Sequence, residues 1–212
     1  MERTVDFSPA CVIACGTLKP ELDALQEQGF LNAKKLMYTG PGLHEWQSRL
    51  EQQLTERLRK AKKVSDKALV LYGERCYMDP KDPTRGTDIL IMESFPRAFR
   101  INAANCVDML AGEERRQEIA GADKVYWLTP GWVQHWDFIF KNWDAGKANE
   151  MFPQHDKAVV LDALGSFDRL MAENPEKVLR ISDWMKIPLE AVPVTLDRLK
   201  ALLTDGMRSL QD

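Results

Sequence analysis

The sequence lacks the local motifs by which many enzyme classes are recognised. It contains no Gly-x-Gly-x-x-Gly fingerprint, no Walker loop and no Gly-x-Ser-x-Gly turn. None of its four cysteines belongs to a Cys-x-x-Cys pair, which is the strong local signal for a metal or redox site. Any functional site must therefore be assembled from residues that are distant in sequence.

The chain also lacks an excess of charge and a long hydrophobic run. It carries 29 basic and 32 acidic residues, for a net charge of −3, which argues against a nucleic-acid partner. No apolar run approaches the roughly 20 residues of a membrane helix, and residues 1–9 lack the apolar centre of a signal peptide. We therefore expect a cytoplasmic protein with no membrane or nucleic-acid partner. In that compartment, cysteines are more often thiols or metal ligands than disulfides.

Predicted strands and helices alternate along the chain, which is typical of an α/β fold with a parallel, doubly wound sheet and helices on both faces. We predict a single domain over residues 1–212, with a small C-terminal appendage from about residue 175. The predicted strands are 11–14, 35–39, 68–72, 99–101, 124–128, 157–164 and 178–181. The main predicted helices are 21–29, 44–63, 106–111, 113–120, 132–143, 167–174 and 195–203, the last capped near Gly206.

Three cysteines occupy one kind of position in this predicted fold. Cys15 ends the first strand, Cys76 follows Tyr72 by four residues, and Cys106 begins a helix after Asn105, a good N-cap. Because parallel strands end at one edge of a sheet, the three sulfurs are predicted to converge. A helix N-terminus is also expected to lower the pKa of Cys106 and favour its thiolate.

Converging thiolates favour the binding of a soft metal, either as a zinc ion or as an iron–sulfur cluster. Three protein ligands with an open position are typical of a catalytic site. Glu21 and His44 stand at predicted helix starts and could join the ligands or act as acid or base. Each cysteine could instead be an ordinary core residue, as we expect for Cys11, or Cys106 could be the nucleophile of a thiol enzyme.

The region from Tyr126 to Trp143 is rich in aromatic residues. It could form the floor of a pocket for a flat ligand, with Trp132 and His135 as cofactor-binding candidates, or serve as a contact surface for a partner. Aromatic residues at helical spacing are more often part of a core, and His135 could be only a hydrogen-bond donor.

Five short motifs occur in an order that resembles one known family. They are Cys15 with Glu21; Leu43-His44-Glu45; Tyr72-Gly73-Glu74-Arg75-Cys76; Asn105-Cys106 with Leu110-Ala111-Gly112; and Leu128-Thr129-Pro130-Gly131-Trp132. Over roughly residues 10–140 the chain resembles the bacterial and archaeal domain-of-unknown-function family sixteen thirty-eight. The turn before Cys76 is one residue longer than in that family, and Asn105 replaces an aspartate.

The resemblance implies a role for the three cysteines and His44, because the family's pattern includes them. Genes of the family often lie near those of corrinoid-dependent methylamine or betaine methyltransferases. This association implies a metal-binding protein of corrinoid-linked one-carbon or methylamine metabolism, with a corrinoid protein or methyltransferase as partner. The alternative is a non-catalytic accessory or binding protein for a corrinoid methyltransferase system.

Overall fold

The computed structural model describes residues 5–211, which form an α/β fold with two parallel sheets. The first sheet contains β1 (Cys11–Cys15), β2 (Lys35–Thr39), β3 (Ala68–Leu71) and β4 (Ala98–Arg100), in the order β2-β1-β3-β4. The second contains β5 (Val125–Leu128), β6 (Lys157–Asp162) and β7 (Leu189–Pro193), in the order β5-β6-β7. The predicted parallel α/β class is confirmed, with the strands divided between two sheets.

Eleven α-helices in the described residues connect and cover these strands. They are α1 (Lys19–Glu27), α2 (Gln47–Lys62), α3 (Thr87–Ser94), α4 (Cys106–Leu110), α5 (Glu113–Ala120), α6 (Pro130–Gln134), α7 (Trp136–Ile139), α8 (Ala145–Met151), α9 (Ser166–Glu173), α10 (Pro175–Met185) and α11 (Asp197–Ser209). Short 3-10 helices lie at Gly16–Leu18, Leu43–Glu45 and Phe152–Gln154.

The central strands are apolar along their whole length because helices cover both of their faces. Every residue of β1 and β3 is buried, as is typical of parallel strands. β1 pairs with β2 on one side and β3 on the other, with Ala14 opposite Tyr38 and Leu71. The carboxyl ends of β1, β3 and β4 therefore lie side by side at one edge of the sheet.

The largest hydrophobic core joins the two sheets. Val12 and Leu69 from the first sheet share it with Val159 and Leu161 from β6. The chain after residue 175 supplies β7 to the second sheet and also α11, which packs against α4, β3 and β4.

Several boundaries differ from the sequence prediction. The strand predicted at 178–181 is wrong, because those residues belong to α10, whose buried Val178, Ile181 and Met185 recur at helical spacing. The predicted 44–63 helix is interrupted at Trp46, whose backbone is not helical (φ −132°, ψ 76°).

Two further helix predictions need correction. The predicted 132–143 helix is two short helices, α6 and α7, separated by His135. Gly206 does not cap α11 but lies inside it, where an added Cβ would come within 2.9 Å of the Leu69 side chain.

No helix within residues 5–211 has the length and apolar character needed to cross a membrane. Residues 1–4, which belong to the segment predicted to lack a targeting signal, lie outside the described part of the chain.

Candidate functional site

The structure places Cys15, Cys76 and Cys106 at the carboxyl edge of three adjacent strands. Cys15 is the last residue of β1, Cys76 lies in the loop after β3, and Cys106 is the first residue of α4, after β4. Cys15 is buried, and the other two are partly buried. Their convergence follows from the strand order, which sequence spacing alone does not fix.

A close backbone contact joins the loop of Cys76 to the start of α4. The backbone N–H groups of Glu74 and Arg75 donate to the carbonyls of Ala103 (3.0 Å) and Ala104 (3.3 Å). At Gly73 a Cβ would lie only 2.0 Å from the Ala104 carbonyl oxygen, so this approach requires glycine. The contact holds Cys76 and Cys106 on neighbouring segments.

Hydroxyl groups surround the sulfur of Cys15. The Thr17 hydroxyl donates a hydrogen bond to this sulfur at 3.2 Å. The Tyr72 hydroxyl is hydrogen-bonded to Thr39, and burial together with the neighbouring Cys15 raises the pKa of Tyr72. Sequence analysis did not assign Thr17, Tyr72 or Thr39 to the site, although Tyr72 and Thr39 end predicted strands and Thr17 follows one by three residues.

Burial and neighbouring thiols affect the ionisation of Cys76 and Cys106. Burial raises the pKa of Cys76, and Cys106 and Cys15 raise it further. Burial and Cys15 raise the pKa of Cys106 to about 12, against opposing contacts with Trp132 and Thr17. The prediction that a helix N-terminus would lower the pKa of Cys106 is therefore wrong, because burial outweighs the effect of the five-residue α4.

The second half of the chain contacts this edge through Gly131. A Cβ at Gly131 would lie 2.0 Å from the Thr17 carbonyl oxygen, so only glycine allows α6 to pack this closely on the Gly16–Leu18 turn. The Thr129 hydroxyl donates to the same oxygen at 3.5 Å. This packing brings Trp132 to Cys106.

Glu21 lies in the first turn of α1 and is fully buried. Within residues 5–211, neither of its carboxyl oxygens has a hydrogen-bond partner. Burial, with a smaller contribution from the charge of Asp162 at the end of β6, raises the pKa of Glu21 to about 7. The charge of Glu21 contributes in turn to raising the pKa of Cys106, which places this carboxyl near the thiols. A buried, unpartnered carboxyl is costly in a structural role, so Glu21 is a strong functional candidate.

His44 and Trp132 stack on each other, with ring centroids 5.0 Å apart. Burial lowers the pKa of His44, and the carboxylate of Glu45, 3.6 Å from His44 Nε2, opposes this effect. Trp132 thus links His44 to Cys106. His135, the other predicted cofactor contact, lies at the end of α6, where burial and the charge of Lys177 lower its pKa.

The aromatic region is divided between core and surface. Trp132, Trp136 and Phe140 are nearly inaccessible and pack in the hydrophobic cluster beneath the second sheet, while Phe138 is exposed. Three further aromatic residues are only partly buried: Tyr126, Trp127 and Trp143. The region therefore keeps some accessible aromatic surface, including a small pocket of about 270 Å³ beside Trp143 and Trp184. Cys11 is also core, because it begins β1 at the opposite edge and is fully buried.

Within residues 5–211, no group of three or more His, Cys, Asp or Glu side chains is already arranged around a common metal position. The donor set is nevertheless suited to a soft metal, because three thiols adjoin a buried carboxyl. Binding would require the sulfurs to draw closer together.

The fold and this edge define a parallel α/β protein with three cysteines, hereafter the thiol cluster, at the carboxyl ends of adjacent strands of the first sheet. The chain belongs to the family described as "Protein of unknown function (DUF1638)", whose sequence model matches residues 38–203. This is the family indicated by the motifs, and the matched segment includes His44, Cys76, Cys106 and Trp132 but begins after Cys15 and Glu21. No curated protein and no solved structure matches the chain.

Proposed function

We propose that Cys15, Cys76 and Cys106 hold a metal centre, either zinc or an iron–sulfur cluster, that acts in corrinoid-linked one-carbon or methylamine metabolism. The observation that carries the proposal is the position of the three cysteines at the carboxyl ends of three adjacent parallel strands. Three cysteines from three separate segments share an environment that also contains Glu21.

The electrostatics of the cluster support a cation. Cys15 makes it harder for Cys76 and Cys106 to lose a proton, and Cys106 does the same to Cys76, so adjacent thiolates need a compensating positive charge. A metal ion supplies that charge, and binding releases the thiol protons. With three sulfur ligands, a fourth position remains for water, a substrate or Glu21.

The surrounding residues have distinct roles in this proposal. Glu21, with a pKa of about 7, can accept or return a proton near Cys106 at neutral pH. His44, held against Trp132, is a second proton acceptor. The Thr17 hydroxyl orients Cys15. A bound zinc would activate a thiol or water for methyl transfer, whereas a cluster would supply electron transfer or an open iron.

The corrinoid link rests on the reported gene neighbourhood of the family. A separate experiment tests this link. Methylcobalamin is mixed with a small thiol and the metal-loaded protein, and its absorbance spectrum is followed over time. Loss of the methylcobalamin spectrum that depends on Cys106 would support methyl transfer. An unchanged spectrum would limit the proposal to the metal centre.

The metal centre is tested by elemental analysis and visible absorption of anaerobically purified protein. Stoichiometric zinc without colour indicates one form, and iron with a brown colour indicates the other. We expect Cys15→Ala, Cys76→Ala and Cys106→Ala each to lose most of the metal. Cys11→Ala is the matched control and should retain it, because Cys11 lies at the far end of β1.

Metal-free wild-type protein from anaerobic cells, or equal metal content in all four variants, would contradict the proposal. Rapid alkylation of Cys106 alone at neutral pH would favour a thiol enzyme instead, against the raised pKa of this residue. The accessory-protein alternative requires an aromatic contact surface, and exposed Phe138 with partly buried Trp143 would supply it.

A further inference from the structure

A cleft of about 380 Å³ lies at the carboxyl end of β6, between α6, α9 and the start of α10. Its walls are mainly apolar and include Val133, Val160, Phe167 and Leu170. This volume is within the range of pockets that bind small molecules.

Two basic side chains, Arg169 and Lys177, line the cleft. Neither forms an ion pair with any residue in the described range 5–211; each donates to a carbonyl, Arg169 Nη1 to Leu164 (2.9 Å) and Lys177 Nζ to Gln134 (2.9 Å). Glu173 is the acidic lining residue and is exposed. The cleft therefore combines an apolar interior with two cations that lack a carboxylate partner.

The position of Lys177 is unfavourable without an anion. It lies in the first turn of α10, where the helix dipole disfavours a positive charge. Burial lowers the pKa of Lys177 despite the opposing charge of Asp137, which is itself paired with Arg180, and Lys177 in turn lowers the pKa of His135. A bound anion would relieve this repulsion.

We propose that this cleft binds a small organic anion, with its apolar body against Val133, Phe167 and Leu170 and its carboxylate or phosphate between Arg169 and Lys177. This inference goes beyond the metal centre and stands without it. Two observations nevertheless place the cleft beside the thiol cluster. Pro20, which lines it, precedes Glu21, and Asp162 both influences Glu21 and accepts hydrogen bonds from Ser166 and Phe167 of the cleft wall.

The test uses three probes of the full-length protein: hexanoate, hexyl phosphate and hexanol. Isothermal titration calorimetry and saturation-transfer NMR measure their binding. We expect saturable binding of at least one anion and at least tenfold weaker binding of hexanol, which has the same apolar body without the charge. The stronger of the two anions identifies the carboxylate or the phosphate as the preferred head group.

Charge-removing variants locate the site. We expect Lys177→Gln and Arg169→Gln each to weaken anion binding about tenfold, the usual effect of losing one charged hydrogen bond. Glu173→Gln should strengthen it, because a nearby negative charge is removed. Arg208→Gln is the matched control, since Arg208 lies on α11, outside the cleft, and pairs with Asp205.

Absence of saturable binding by both anions would overturn the inference. It would also be overturned if hexanol bound as tightly as the anions, or if Arg208→Gln weakened binding as much as Lys177→Gln. Metal content is measured on the same samples, so failure of the cleft and failure of the metal centre are distinguishable.

Discussion

At the scale of single residues, Glu21 is the side chain least explained by packing. It is fully buried, neither carboxyl oxygen has a hydrogen-bond partner in the described part of the chain, and Asp162 adds a repulsive charge. Its ionised form is therefore costly in the folded protein. This cost should appear as a dependence of stability on pH.

We predict that the contribution of Glu21 to the free energy of unfolding of the metal-free protein decreases as pH rises between about 4.5 and 7. The folded pKa of Glu21 is about 7, above the ordinary value of 4.5, so in this window the folded state binds more protons than the unfolded state. The loss contributed by Glu21 should be of the order of 3 kcal/mol. Glu21→Gln should remove it, making the variant more stable than the wild type at pH 8.

Urea denaturation at pH 5 and pH 8, after treatment with a chelator, measures this difference. Glu27→Gln is the matched control, because Glu27 is exposed on the same helix, and it should change the pH dependence by less than about 0.5 kcal/mol. An identical pH dependence for wild type and Glu21→Gln would show that the Glu21 carboxyl does not titrate in this window.

At the scale of elements, the loop after β3 and the start of α4 are positioned by backbone contact. Gly73→Ala would place a Cβ 2.0 Å from the Ala104 carbonyl oxygen, and backbone atoms cannot yield as a flexible side chain can. We predict a destabilisation of about 3 kcal/mol and faster reaction of Cys76 with a thiol reagent, because the loop must move away from α4.

Urea denaturation and thiol-labelling rates measure these two effects. Gly86→Ala is the control, since its Cβ would lie 3.8 Å from the Tyr77 carbonyl oxygen, and it should cost less than about 1 kcal/mol. Equal effects of the two substitutions would mean that the Gly73 contact does not position Cys76.

The elements of the first sheet could be predicted from sequence because its central strands are short apolar runs. β7 could not, since it is an edge strand that contains Glu190 and Pro193, which are both unusual in a buried strand. Strands and helices alternate along the sequence whether the strands form one sheet or two. The division of the strands between two sheets could therefore not be predicted from the sequence.

The candidate site was accessible to sequence analysis only in part. The positions of Cys15, Cys76 and Cys106 at strand ends placed them on one edge, because parallel topology imposes that arrangement. The approach of α6 to this edge depends on a contact between Gly131 and the Thr17 carbonyl, which are more than a hundred residues apart. No local pattern encodes such a contact, nor the lack of partners around Glu21.

At the scale of the whole molecule, the two sheets share one hydrophobic core. Leu161 of β6 is fully buried in the same cluster as Val12 and Leu69 of the first sheet. The thiol cluster and the cleft beside it both lie where these halves meet. Their geometry therefore depends on the halves folding together.

We predict that Leu161→Ala destabilises both halves in a single unfolding transition, by 2 to about 5 kcal/mol, because it leaves a cavity in the shared core. Leu179→Ala is the matched control: this leucine is 66% exposed on α10, and its truncation should change stability by less than about 0.5 kcal/mol.

Tryptophan fluorescence reports mainly on the second half, where five of the six tryptophans lie, and labelling of buried Cys11 reports on the first sheet. The two probes should give coincident denaturation curves in the wild type and should shift together in Leu161→Ala. Separate transitions, with the Cys11 curve unmoved by the substitution, would mean that the sheets unfold independently and that the shared core does not couple them.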